Sequence, residues 1–299
     1  MHPFHPYIKA VGIGHKHNRD LTQEEMQNAM MMILQQSASP EQIAAFLLGW
    51  RIKPESIDEF KGTLKAFDTM IAYHDKIPNA IELGYPYDGK KNNPYLFPLI
   101  AKELERFDVH LILSGDTLQP SKAGTTTKEI CTHIPPQKNL HFLDRSIYFK
   151  ELSALSEVRN KLGLRTGINA IERLVNPTKC DYAIIGVFHK PYVQKYIDIY
   201  HDRYKKLIIL KAIEGTPEVL GKCSYWVVEG KKVEEHHINI NDFGIYHDKS
   251  YKAITLQESL KMLMNPSKEH LQLAKLNAAL HLTLIGKFKT LKEGFEALL

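Results

Sequence analysis

From residue 80 to residue 230 this chain keeps returning to one unit: a short apolar run, a turn, and in most cases a helical stretch. The runs are AIEL (80–83), VHLILS (109–114), LHFL (140–143), YAIIGV (182–187), KLIIL (206–210) and SYWVVEG (224–230). Stretches such as 94–106 and 190–203 carry helical periodicity between them. Strands buried on both faces read as near-continuous apolar runs, and helices between them fit parallel crossovers. The alternation therefore predicts an α/β fold with a mainly parallel sheet and flanking helices. In such sheets ligands sit beyond the carboxyl ends of the strands, which directs attention to the loops after 83, 113 and 210.

The first third of the chain is different. Thr22-x-x-Glu25, Ser39-x-x-Gln42 and Ser56-x-x-Glu59 each have the capping-box pattern, and Pro40 suits a first helical position. Apolar residues follow at helical spacing: Met26, Ala29, Met30, Ile33; then Ile43, Phe46, Leu47, Trp50; then Phe60, Leu64, Phe67. Three short helices in a row make a small helical subdomain. Residues 146–175 interrupt the later alternation with two expected helices, and the last 45 residues read as helices closing the fold.

With 299 residues the chain can bury a sizeable core. No apolar run approaches the ~20 residues that cross a bilayer, and the N-terminal MHPFHPYIKA lacks the apolar stretch of a secretory signal. Cys131, Cys180 and Cys223 lie far apart without a CxxC, so neither a zinc site nor a disulfide framework is indicated and a cytoplasmic setting is expected. His15, His17, His236 and His237 have no carboxylate at ligand spacing. A net charge of +5 allows anionic partners without selecting one.

The stretch IELGYPYDGKKNNP (81–94) follows the first strand as a phosphate loop would, with Gly84, Asp88 and Gly89 in candidate positions. Tyr85, Pro86 and Tyr87 stand where bare backbone is wanted, and Pro86 has no N–H to give. QPSKAGTTTKEI (119–130) offers Ser121, Lys122, Gly124 and Thr125 ahead of a fourth capping box, Thr126-x-x-Glu129, as a second candidate anion site.

Three segments carry a family resemblance. LTQEEMQNAMMMILQQSASPEQIAAFLLGWRIKPES resembles the N-terminal helices of anthranilate phosphoribosyltransferase and its pyrimidine nucleoside phosphorylase relatives. SEVRNKLGLRTGINAIERLVNPTKCDYAIIGVF (156–188) resembles that enzyme's arginine-containing segment more closely, and NINDFGI (239–245) is similar to a later stretch. The resemblance implies a helical domain over 1–76, completed by helices of about 146–178, hinged to a large α/β domain over 77–145 and 179–299. It also implies a homodimer through the helical domain. The helices near 22–36 and 39–50 are the expected contact, with Trp50 and the methionines as its anchors.

The resemblance implies a site as well. Arg165 matches the arginine that contacts the aromatic acid's carboxylate, a role suited to a guanidinium, with Asn169 four residues on and expected on the same helix face. The glycine-rich diphosphate loop falls on Gly84–Gly89, and the Lys-His-Gly-Asn-Arg run falls on Leu113-Ser114-Gly115-Asp116-Thr117, without its cations. The metal-binding Asp-Glu pair falls on Pro217-Glu218, leaving Glu218 to hold Mg2+. The implied activity is pentosyl transfer from a phosphoribosyl donor to a small aromatic or nitrogenous acceptor, with Lys122 and the 124–127 turn holding phosphate. No catalytic group is singled out. YIKAVGIGHKHNRDLTQEE, ELGYPYDGKKNNP and LKAIEGTPEV together resemble a separate branch whose altered donor motifs accompany, in some members, nucleic-acid binding. The alternative is thus a non-enzymatic dimer whose basic cleft binds nucleic acid through Lys90, Lys91, Lys122 and Arg165.

Overall fold

The alternation closes into a seven-stranded sheet in the computed structural model, which describes residues 2–117, 124–247 and 252–299. The strands are β1 (Ala80–Gly84), β2 (His110–Gly115), β3 (Leu140–Asp144), β4 (Tyr182–Val187), β5 (Lys206–Lys211), β6 (Cys223–Glu229) and β7 (Lys232–Ile238). They lie in the order β3-β2-β1-β4-β5-β6-β7. The first five pair in parallel and the last two antiparallel. Sequence alone did not reveal β7, because KVEEHHI is polar and mostly exposed and has no apolar run. Charged side chains suit such an edge, where they discourage pairing with another chain. His236 and His237 sit on it, the first stacked on Tyr225 and the second 2.9 Å from the Ser224 hydroxyl.

Helices cover both faces. One apolar core lies beneath the C-terminal helices Lys268–Leu284 and Leu291–Glu296, and the other runs without a break from the sheet into the N-terminal bundle. All four anticipated capping boxes form, at Thr22, Ser39, Ser56 and Thr126. An unanticipated helix, His5–Gly12, packs on the bundle.

Two expectations need correction. Trp50, Met26 and Met30 are fully buried within this chain, so they cannot anchor a dimer contact. Trp50 donates its indole N–H to Glu59 at 3.0 Å, and Gly167 lies so close to its ring that a Cβ there would sit 2.7 Å away. The second concerns 146–175, where two helices were expected. The chain instead breaks into Arg145–Tyr148, Lys150–Ala154, Ser156–Leu162 and Ile168–Ile171. A buried network overrides the helical pattern. Arg145 and Arg159 both donate to Glu172, and Arg145 Nε also reaches Asp116 at 2.9 Å. Burial alone would raise the Glu172 carboxyl, but Arg159 and Arg145 together hold it below its usual range. Gly163, at φ +69°, ends the third helix, so Arg165 lies in a turn and not on a helix face with Asn169.

Candidate functional site

The strand order reverses between β1 and β4: the chain runs outward from β1 through β2 to β3, then returns to β4 and continues to β5. That reversal opens a crevice at the carboxyl ends, the general place for a ligand in an open α/β sheet. Here the loops after β1, β4 and β5 enclose a cleft of about 390 Å³, and the turn carrying Arg165 forms its remaining wall. Tyr87, Asp88, Lys91, Arg165, Phe188 and Glu214 are among its lining residues.

Its floor is held by residues that sequence reasoning missed. Arg173 is buried and donates through Nη2 to Gly84 O and Gly215 O, both at 2.6 Å, tying the end of β1 to the turn after β5. Glu214, in the left-handed region at φ +57°, accepts from Lys91 N at 2.5 Å, Asn92 N at 2.9 Å and Asn93 Nδ2 at 3.0 Å. Phe188 and His189 follow β4 on the exposed rim with their rings edge to face. The only local signal for these residues was position, since each lies just beyond a strand or in the segment facing one.

Glu218 was expected to hold a metal ion. It is fully buried beneath the cleft, where it accepts from the Lys90 ammonium, from the Tyr85 hydroxyl at 2.7 Å, and from Leu96 N at 2.5 Å and Phe97 N at 3.2 Å. The two N–H groups open helix Phe97–Leu104, whose dipole favours a negative charge at that end. Lys90 is equally buried and donates also to Pro94 O at 2.7 Å. Each Glu218 oxygen is already engaged, with an ammonium where a cation would stand. No group of three or more His, Cys, Asp or Glu among the described residues could hold a metal ion. Among the described residues, Glu218 and the groups around it do not fit magnesium.

The same contacts revise the basic lip. Lys90 and Lys91 were expected side by side around the cleft in the nucleic-acid alternative. Lys90 is instead an internal residue, and of the two only Lys91 is exposed. Alternation in an extended backbone puts neighbouring side chains on opposite sides, and the bridge between Lys90 and Thr125 holds that conformation.

The candidate phosphate residues are brought together by packing. Lys90 N donates to Thr125 O at 2.8 Å and Thr125 N to Lys90 O at 2.9 Å. The two loops approach so closely that a Cβ on Gly124 would lie 2.0 Å from Lys90 O, and one on Gly89 2.6 Å from Gly124 O. Gly84 backs onto Ile185 and Leu174. Tyr85 and Tyr87 fill the interior of the first loop, Tyr87 beneath the Arg145 guanidinium at 4.3 Å. Ser121 and Lys122 lie outside the described residues. Asp116, in the loop after β2, turns inward to Arg145 and to Ser153 Oγ at 2.6 Å. Arg165 and Asn169 do meet at the cleft. Arg165 is half-exposed and pairs with Asp88, and Asn169 Oδ1 accepts from Thr166 N at 2.9 Å, fixing the turn.

This architecture, a capped helical bundle joined to a mainly parallel sheet with its cleft at the β1–β4 reversal, is that of a glycosyl transferase. Residues 5–69 match the glycosyl transferase family's helical bundle domain and residues 118–299 its α/β domain, and the chain belongs to that family. Among individual proteins it is 28% identical over 299 residues to an anthranilate phosphoribosyltransferase from a Geobacillus species, covering 92% of this chain and 88% of the relative. An uncharacterized protein from Aquifex aeolicus is 32% identical over 203 residues, covering 68% of this chain and 66% of that one. Anthranilate phosphoribosyltransferase from Thermus thermophilus has the same fold, with a TM-score of 0.77 at 20% identity over 100% of this chain and 93% of that one. The Saccharomyces cerevisiae enzyme in complex with PRPP and Mg also scores 0.77, at 15% identity over 99% and 92% of the two chains.

Proposed function

We propose that this chain recognises a phosphorylated pentose at the β1–β4 cleft, as a pentosyl-transfer protein of its family that works without the magnesium–diphosphate half of the site. Family membership and the position of the cleft support the ligand class, and relatives in the same fold bind PRPP with Mg and, in another complex, 4-fluoroanthranilate. One observation carries the departure from those relatives: the buried Lys90–Glu218 pair, in which an ammonium already neutralises the carboxylate expected to face a metal. Lys91, Arg165 and Arg173 are the cationic side chains on the cleft's lining, Arg173 held by backbone carbonyls and Arg165 paired with Asp88. Arg165 also suits bidentate recognition of a phosphate or carboxylate.

Calorimetry tests the reading with ribose 5-phosphate and with phosphoribosyl pyrophosphate, each in magnesium and in EDTA. The expected result is binding that magnesium does not strengthen, together with no magnesium-dependent phosphoribosylation of anthranilate. Tight binding of phosphoribosyl pyrophosphate only when magnesium is present would overturn it. The proposal includes a homodimer through the helical domain, which light scattering at micromolar concentration checks. No observation favours the nucleic-acid reading once Lys90 is internal.

A further inference from the structure

The loop that follows β1 contributes two charged side chains to its own surroundings. Lys90 turns inward to Glu218, and two residues earlier Asp88 turns across the cleft to Arg165. Asp88 is 7% exposed as a residue, whereas the Arg165 side chain is 53% exposed, so the carboxylate is fixed and the guanidinium can approach a ligand. The fixing is geometric. Gly89 takes φ +79° directly after Asp88, and the Lys90–Thr125 bridge anchors the next residue. Arg165 Nη2 meets Asp88 Oδ2, and Asp88 Oδ1 has no protein partner among the described residues although Asp88 lines the cleft. Glu214, the other carboxylate on the lining, is already engaged by two backbone N–H groups and an amide.

We infer that Asp88 is the specificity-determining residue of this cleft: it supplies Arg165 with a resident carboxylate, and so selects a neutral, N–H-bearing ligand group over a carboxylic acid. An entering carboxylate meets a guanidinium already paired with Asp88, whose like charge opposes it. An amide or the edge of a nitrogenous ring instead gains an acceptor in Asp88 Oδ1 and leaves the ion pair whole. This inference rests on the reading of the cleft as the ligand site.

Benzoate and benzamide separate the alternatives, being alike in shape while one carries a carboxylate and the other N–H donors. Both are titrated by calorimetry and by NMR of the arginine Nε–Hε signals, on the full chain and on Asp88→Asn, Asp88→Ala and Asp88→Asn/Arg165→Ala. The wild-type chain is expected to favour benzamide. In Asp88→Asn the ratio should move toward benzoate by at least about tenfold, the scale of one charge-assisted hydrogen bond. The Arg165 signal should shift as benzoate binds, and the double variant should lose the gain. Asparagine keeps the size of aspartate, so Asp88→Asn retains the loop if Asp88→Ala does not fold. Equal benzoate affinity in wild type and Asp88→Asn, or a gain that survives Arg165→Ala, overturns the inference. Ribose 5-phosphate is titrated alongside: its failure to bind the wild type counts against the cleft reading, while benzoate failing on Asp88→Asn when ribose 5-phosphate binds counts against the role of Asp88 alone.

Discussion

Replacing Lys90 with methionine is the sharpest test of how the site is built. The substitution keeps most of the side chain's length and removes its charge, leaving Glu218 fully buried with the Tyr85 hydroxyl and two helix N–H groups as donors. Pro94 O loses its ammonium donor as well. Removing one partner of a buried pair typically costs about 3–5 kcal/mol, because the remaining charge is uncompensated. At roughly 2 °C per kcal/mol for a chain of this size, the melting temperature should fall by roughly 6–10 °C. Glu218→Gln should be destabilising for the mirror reason, with an ammonium left facing a neutral amide. The double variant Lys90→Met/Glu218→Gln buries no net charge and retains an acceptor for the helix N–H groups. Its cost should be smaller than the sum of the singles by about 2 kcal/mol, within the range seen for side chains in contact. Urea denaturation of the four proteins closes the cycle. Additive single effects, or a Lys90→Met cost below about 1 kcal/mol, would show that the two groups are not a buried pair in solution, on the scale of exposed pairs.

Three further outcomes follow from the same reasoning. Glu172→Gln leaves Arg145 and Arg159 both buried with their shared carboxylate gone, and should cost at least about 3 kcal/mol in urea denaturation; a loss under about 1 kcal/mol would refute it. Burial raises the Glu82 carboxyl to about 7, against the lowering effect of the Tyr204 hydroxyl and Asn176 N–H, so the folded chain holds a proton that the unfolded chain gives up near its ordinary carboxyl range. Its contribution is therefore present at acid pH and is lost as pH rises through about 7; melting temperatures from pH 5 to 8 should show a fall that Glu82→Gln flattens, and an unchanged slope in the variant would contradict this. Gly124→Ala places a Cβ against Lys90 O and should separate the two loops, read as faster amide exchange at Lys90 and Thr125; unchanged exchange would mean that the close approach does not persist in solution.

Much of this fold is written locally. The six apolar runs became β1 to β6 with ends shifted by at most about a residue. Of these, β1, β2, β4 and β5 are buried on both faces, which demands continuous apolar sequence, while β3 and β6 are only partly covered. The four capping boxes formed because each is completed within four residues by its own side chains and backbone. The place of the cleft was legible only in part: the loops singled out after 83 and 210 line it, the loop after 113 does not, and the loop after β4 with Phe188 and His189 was not anticipated. What the sequence could not declare was which charges are spent internally. Lys90 and Glu218 lie 128 residues apart, and Asp88 and Arg165 lie 77 apart. Read singly, Lys90 is a loop lysine and Glu218 a surviving metal ligand. Only the folded chain brings them together, where burial makes each charge untenable without the other. The same long-range network, Arg145 and Arg159 closing on Glu172, broke the helices expected over 146–175. Local propensity is worth tenths of a kcal/mol per residue, whereas a buried charge left unpaired costs several, and so tertiary structure decided the site.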